Sequence, residues 1–113
     1  PGLRLAVLFG SRARGDATER SDWDIGYLGD QRLDPDALLA DLVLALGTDR
    51  IDLVDLQRAS GLVRFRAARD GRPLFQAADG IFEQFWLDAV GFWCDAGPVL
   101  RHAYEGLLAE LER

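Results

Sequence analysis

Two aspartates one residue apart, Asp22 and Asp24, open the otherwise apolar run DWDIGYL; a Gly10-Ser11 pair closes an earlier apolar run, with ten residues between Ser11 and Asp22. Aspartate is a poor strand former, so folding alone does not ask for it there. Side chains alternate along a strand, which puts Asp22 and Asp24 on one face and Trp23, Ile25 and Tyr27 on the other. Two carboxylates ~7 Å apart on that face, by the rise per residue, can both reach a pair of magnesium ions held ~4 Å apart. Mg2+ suits such hard oxygen ligands, because it takes one or two carboxylates and completes its shell with substrate phosphate and water.

The Gly10-Ser11 turn offers the other half of a phosphate site. Glycine at a strand end lets the backbone bend sharply and lets a phosphate approach, while the N–H groups of the next helical turn point at the anion. Ser11 adds a hydroxyl donor; Arg12 and Arg14 lie close by, and spacing alone leaves open which of them faces the site. A third acid is expected on a neighbouring strand, since two metal ions on two carboxylates leave one under-coordinated. RIDLVDL offers Asp52 and Asp55, which face opposite ways. Asp52 is the choice because it lies within the apolar run, where a carboxylate is costly unless it binds something. Asp55, nearer the strand end, reads as a solvated side chain.

The elements that must position these residues alternate. LRLAVLF, Leu3 to Phe9, is a buried strand bounded by glycines. RARGDATERS has room for one helical turn before the strand DWDIGYL. Asp34 is an N-cap with Pro35 at the first helical position, and Leu38, Leu39, Leu42, Val43 and Leu46 form an apolar face that stops at Gly47. Arg50 to Leu56 is a third strand, followed by a helix from about Ser60 to Asp70 that Gly71 closes. RPLFQ reads as an edge strand, where Pro73 is tolerated. From Asp79 the pattern is helical, with a break at Gly97-Pro98. The fold class is α/β (α+β), a small mixed β-sheet with flanking helices.

The 113 residues are the size of one domain, residues 1–113, divided here into a core, 1–77, and a helical tail, 78–113. The chain has no methionine and begins with Pro1, so either the initiator was trimmed or a preceding segment is absent. No apolar run approaches the ~18 residues of a membrane span. The single cysteine, Cys94, excludes an internal disulfide framework, suits a reducing cytoplasm and reads as a small buried hydrophobe. All 13 basic residues are arginine, which leaves no lysine for a phosphate loop or a Schiff base. A net charge of −6 argues against direct nucleic-acid binding, and any phosphate should arrive with metal ions.

Gly10-Ser11, ten residues, then Asp22-Trp23-Asp24 resembles the G-S-x10-D-x-D signature of the DNA polymerase β-like nucleotidyltransferase superfamily. The longer stretch LFGSRARGDATERSDWDIGYL is similar to the minimal nucleotidyltransferases (MNT), the antitoxin halves of HEPN/MNT toxin–antitoxin pairs. Ala13-Arg14-Gly15 after the serine, Ser21 before the first aspartate and Asp52 on the third strand all match. The likeness covers about the first 75 residues, through DGRPLF, and the tail only loosely. Trp23 departs from the smaller apolar residues usual there, and fills the core behind the site. The resemblance implies two Mg2+ ions held by Asp22, Asp24 and Asp52, with ATP as substrate bound at Gly10, Ser11, Arg12 and Arg14. It also implies an acceptor, a tyrosine hydroxyl of a cognate HEPN toxin, inactivated by adenylylation in a type VII-like system.

The chain is not the toxin half, because the positions upstream of its one histidine, His102, are Asp95, Ala96 and Gly97, where a HEPN ribonuclease carries arginine. Phe82, Phe85, Trp86, Phe92 and Trp93 crowd the start of the tail; they pack on the sheet or form a partner surface, for the HEPN toxin or, alternatively, a homodimer. Two other functions stay open at this level. One is neutralisation of the toxin by binding alone. The other is transfer to a small molecule of the aminoglycoside type, which the short tail disfavours.

Overall fold

The computed structural model describes residues 2–95 together with residues 105 and 106. Eight elements alternate along it: β1 (Leu3–Phe9), α1 (Ser11–Arg14), β2 (Trp23–Gly29), α2 (Pro35–Leu46), β3 (Ile51–Asp55), α3 (Gly61–Asp70), β4 (Arg72–Gln76) and α4 (Ile81–Asp95). The strands form one mixed sheet in the order β3-β2-β1-β4. β1 is antiparallel to both β2 and β4, and β3 lies parallel to β2.

Local chemistry sets the boundaries. Asp34 accepts from the Asp36 amide at 3.0 Å, Pro35 takes the first turn of α2, and Gly47 ends it in the left-handed conformation. Ser60 caps α3 by accepting from the Val63 amide. Gly71 ends α3 as expected, for a different reason: its backbone is extended, and a Cβ there would run into the Ala67 carbonyl and the Val7 side chain. β4 is an exposed edge strand that accommodates Pro73.

The two sheet faces bury separate cores. Leu5, Val7 and Phe9 of β1 pack with Leu56, with Ala67 and Ala68 of α3, and with Phe85 and Ala89 of α4. Leu8, Ile25 and Ala13 pack on the other face with Trp23, Leu42, Leu46 and Leu53, so Trp23 does fill the core behind the carboxylates. Leu5, Val7, Ile25 and Leu56 are fully buried, each contributing about 1.5–3 kcal/mol. This two-sided burial makes the β1–β2 pair the rigid support of whatever stands at its end.

Of the crowded aromatics, Phe85 and Trp93 are buried, and Trp93 stacks on Phe65 of α3 at 4.9 Å, whereas Trp86 and Phe92 stay about half exposed. Cys94 corrects an expectation, for it is exposed. α4 turns Phe85, Ala89 and Trp93 inward, and the residue after an inward position points about 100° away. The expected break at Gly97-Pro98 and His102 lie outside the described residues. Among the described residues no helix is long and apolar enough to cross a membrane.

Candidate active site

β1 runs out at Phe9, which pairs with Asp24 of β2. The next residue, Gly10, has φ 73° and ψ −158°, a region open essentially to glycine alone. A Cβ on Gly10 would collide with the Asp24 carboxylate. The glycine therefore serves twice: it makes the bend, and it leaves room for the carboxylate against the backbone. α1 follows as a single turn in which the Ala13 and Arg14 amides both donate to the Gly10 carbonyl, and it ends at Gly15 with φ 88°.

The segment from Gly15 to Asp22 is tied down by small polar groups. Ser21 Oγ accepts from the Thr18 amide at 2.9 Å while the Ser21 amide donates to the Thr18 carbonyl. Arg12 donates to the Ser21 carbonyl at 2.9 Å and lays its guanidinium over the Trp23 ring, 4.6 Å from the centroid. These contacts fix the start of β2, where Asp22 stands.

The parallel β2–β3 ladder sets Asp24 beside Asp52 in register. Asp24 is half-buried; Asp22 and Asp52 are exposed. Burial pushes the Asp24 carboxyl above its usual range, the negative charges of Asp52 and Asp22 push the same way, and Arg66 and Arg14 partly offset them. Asp24 thus sits among acids whose charge these two arginines do not fully balance. Among the described residues no three His, Cys, Asp or Glu side chains close into a cage able to hold a metal ion by themselves. The donor set is nevertheless one that fits magnesium, which shares one or two carboxylates with substrate phosphates.

Of the residues singled out in the sequence, Gly10, Asp24, Asp52 and Asp22 meet at one end of the sheet, with Ser11 opening α1 beside them. Arg14 contacts Asp16 and Asp70, near enough for its charge to act on Asp24. Arg12 is instead spent on Ser21 and Trp23, on the opposite side of the sheet. Asp52 is where the sequence places it, but the burial argument used to choose it fails. Asp52 is exposed and Asp55 is the half-buried one, beside Tyr27 and 3.8 Å from Arg58, because β3 is an edge strand whose rim the helices do not cover.

Arg66, Arg69 and Asp70 of α3 were not anticipated. Asp70, with a nearly buried side chain, takes hydrogen bonds from Arg69 at 3.0 Å and from Arg14 at 3.4 Å, and so ties α3 to α1. The available signal was Arg66-Ala67-Ala68-Arg69, two arginines one helical turn apart flanking the small residues that face the core. A cavity of about 450 Å3 at this end is lined by Arg14, Asp16, Arg66 and Arg69. Another, of about 810 Å3, opens at the far end of β2 between Tyr27, Asp30, Arg32, Asp55 and Arg58. Its arginines are matched by acids, Arg32 with Asp30 and Arg58 with Asp55, so it is the poorer place for a phosphate chain.

Comparison with known proteins agrees with this geometry. Residues 1–79 match the family described as polymerase beta, nucleotidyltransferase. The protein adenylyltransferase MntA of Aphanizomenon flos-aquae (strain 2012/KM1/D3) is 33% identical over 97 residues, covering 75% of this chain and 65% of that protein. The chain therefore spans just under two thirds of the length of the curated relative it matches. A crystal structure of a toxin-antitoxin with AMP-PNP is similar over 100% of this chain and 89% of its own, with a TM-score of 0.70 and 28% identity. So is an MNT antitoxin in complex with a tri-AMPylated Shewanella oneidensis HEPN toxin, over 100% of this chain and 86% of its own, with a TM-score of 0.63 and 27% identity.

Proposed function

We infer that this chain, which belongs to the polymerase beta nucleotidyltransferase family, is the antitoxin of a HEPN/MNT pair and transfers AMP from ATP to a tyrosine hydroxyl of its HEPN toxin. The observation that carries the reading is the pairing of Asp24 with Asp52 beside the Gly10 bend, in a chain 33% identical to a protein adenylyltransferase. The similar structures, one with AMP-PNP and one with a tri-AMPylated HEPN toxin, support both the substrate and the partner.

Asp22, Asp24 and Asp52 would hold magnesium together with the triphosphate. Bound there, the metal supplies charge neutralisation for the phosphates and lowers the pKa of the attacking hydroxyl. Ser11 donates to a phosphate oxygen at the bend, and Arg14 adds positive charge where negative charge builds up on the leaving group. Asp52, exposed on the rim, is accessible to a hydroxyl brought by a partner protein and accepts its proton. The tyrosine oxygen then bonds to the α-phosphorus, the bond from that phosphorus to the bridging oxygen of the β-phosphate breaks, and pyrophosphate leaves.

The test is incubation with α-labelled ATP, magnesium and the HEPN protein encoded beside this chain. Label should appear on that partner and vanish with Asp22→Asn/Asp24→Asn. Undiminished labelling by the double variant sinks the reading; neutralisation of the toxin by that variant without labelling points instead to binding alone.

A further inference from the structure

The cavity at the carboxylate end is lined by three arginines, Arg14, Arg66 and Arg69, and one acid, Asp16, a cluster of cationic side chains in a chain of net charge −6. Two of the three are already engaged. Arg14 lies 3.5 Å from Asp16 and 3.4 Å from Asp70, and Arg69 holds Asp70 at 3.0 Å. Arg66 makes no ion pair of this kind among the described residues, although its charge acts on Asp24. Its Nε is buried and meets no hydrogen-bond acceptor among the described residues, although a guanidinium N–H shut away from water costs free energy unless it is satisfied. Ala67 and Ala68, the next two residues, are buried against the sheet, so the backbone that carries Arg66 is fixed to the same core as β1. The guanidinium fork matches two oxygens of a phosphate, which an ammonium does not.

We propose that Arg66 grips the terminal phosphates of the nucleotide, the part released as pyrophosphate, in the cavity it shares with Arg14 and Arg69. The assignment rests on the nucleotidyl-transfer reading and adds to it a binding residue on α3, outside the Gly-Ser and Asp-x-Asp segments. It follows that the nucleotide is held from two sides, by the carboxylate end of the sheet and by the second half of α3. Arg14, which contacts Asp70 of α3, stands between them.

The experiment is titration calorimetry with magnesium ATP, AMP and inorganic pyrophosphate on the wild type, Arg66→Ala and Arg66→Gln. Arg58→Ala, a change of an exposed arginine at the other end of β3, is the control. Arg66→Gln retains much of the stem and guards against a folding defect in the alanine variant. Both variants should weaken pyrophosphate and ATP about 10–100-fold, the loss of one charge-assisted contact, with AMP changed less than about 2-fold. Pyrophosphate affinity unchanged in Arg66→Gln, or AMP weakened in parallel with ATP, would overturn the assignment. If pyrophosphate binds through Arg66 but no partner is labelled, the assignment stands and the transfer reading fails. If labelling and pyrophosphate binding both survive the loss of this charge, the reading stands and the assignment fails.

Discussion

Replacing Gly10 with alanine tests the architecture of the site at its tightest point. The Gly10 backbone lies in a region that costs a residue with a side chain about 1–3 kcal/mol. The new methyl group also meets the Asp24 carboxylate, and turning that side chain off its rotamer adds about 0.5–1.5 kcal/mol. The sum, about 1.5–4.5 kcal/mol, corresponds in a domain of this size to a melting temperature lower by about 6–18 °C. Gly15→Ala is the matched control, because Gly15 also has positive φ but has nothing within 4 Å of a Cβ; its cost is the left-handed backbone alone, about 1–2 kcal/mol. Displacing Asp24 by about 1 Å should reduce AMP transfer about 100-fold in Gly10→Ala, and Gly15→Ala should transfer nearly as well as the wild type. The assay pairs thermal melts followed by circular dichroism with label transfer at a temperature where both variants are folded. A Gly10→Ala protein that melts no lower than Gly15→Ala and still transfers AMP would refute the close packing of Asp24 against the bend.

Asp24→Asn should abolish transfer yet raise stability at pH 7 by about 0.5–1 kcal/mol, a modest gain because water reaches part of the side chain. The sign follows from the raised carboxyl: its protonated form is favoured in the fold, so ionisation penalises the native state at neutral pH, and the gain should fade as the pH falls to the unfolded carboxylate value of about 3.9. Melts at pH 7 and pH 4 check this, and added magnesium with ATP should narrow the difference. Asp70 behaves oppositely. Burial would raise its carboxyl, but the hydrogen bonds and charges of Arg69 and Arg14 outweigh that and lower it. Its contribution is present above about pH 3.9 and is lost as pH falls through the lower folded value, so Asp70→Asn should cost about 1–3 kcal/mol at pH 7 and converge with wild type in acid denaturation. Arg12→Ala should lower stability by about 1–2 kcal/mol through the lost Ser21 and Trp23 contacts. Its calorimetric affinity for magnesium ATP should change less than about 3-fold; a larger loss would put Arg12 back among the phosphate ligands.

What could be read from the sequence was what local rules govern. Asp34, Pro35 and Gly47 bound α2 by their own backbone and capping chemistry, and alternation separates Asp24 from Trp23 and Ile25 without knowledge of any neighbour. The pairing of Asp24 with Asp52 is different, because register between β2 and β3 is a contact across the crossover helix α2. Choosing Asp52 by supposed burial gave a residue beside Asp24 through a mistaken premise, since an apolar run on an edge strand does not bury every side chain in it. Arg12 and Arg14 are alike in a string of letters; a helix of one turn sends them to opposite sides, one onto Trp23 and one toward Asp70. Arg66 and Arg69 stand out only as two arginines one turn apart, a spacing whose meaning depends on how α3 lies over the sheet.

Asp52 rides on β3, one of the two edge strands, while Asp24 belongs to the interior pair of the sheet and Gly10 follows directly on the other member of that pair. Rim strands open by local fluctuations that need not melt the rest of the fold. Competence for chemistry would therefore be tied to an edge ladder of the sheet, and a brief detachment of that ladder would disarm the protein while its core stays intact. A substrate that bridges Asp24 and Asp52 would fasten the detachable rim, so slower deuterium uptake at the Ile51 to Asp55 amides would register occupancy before any product forms.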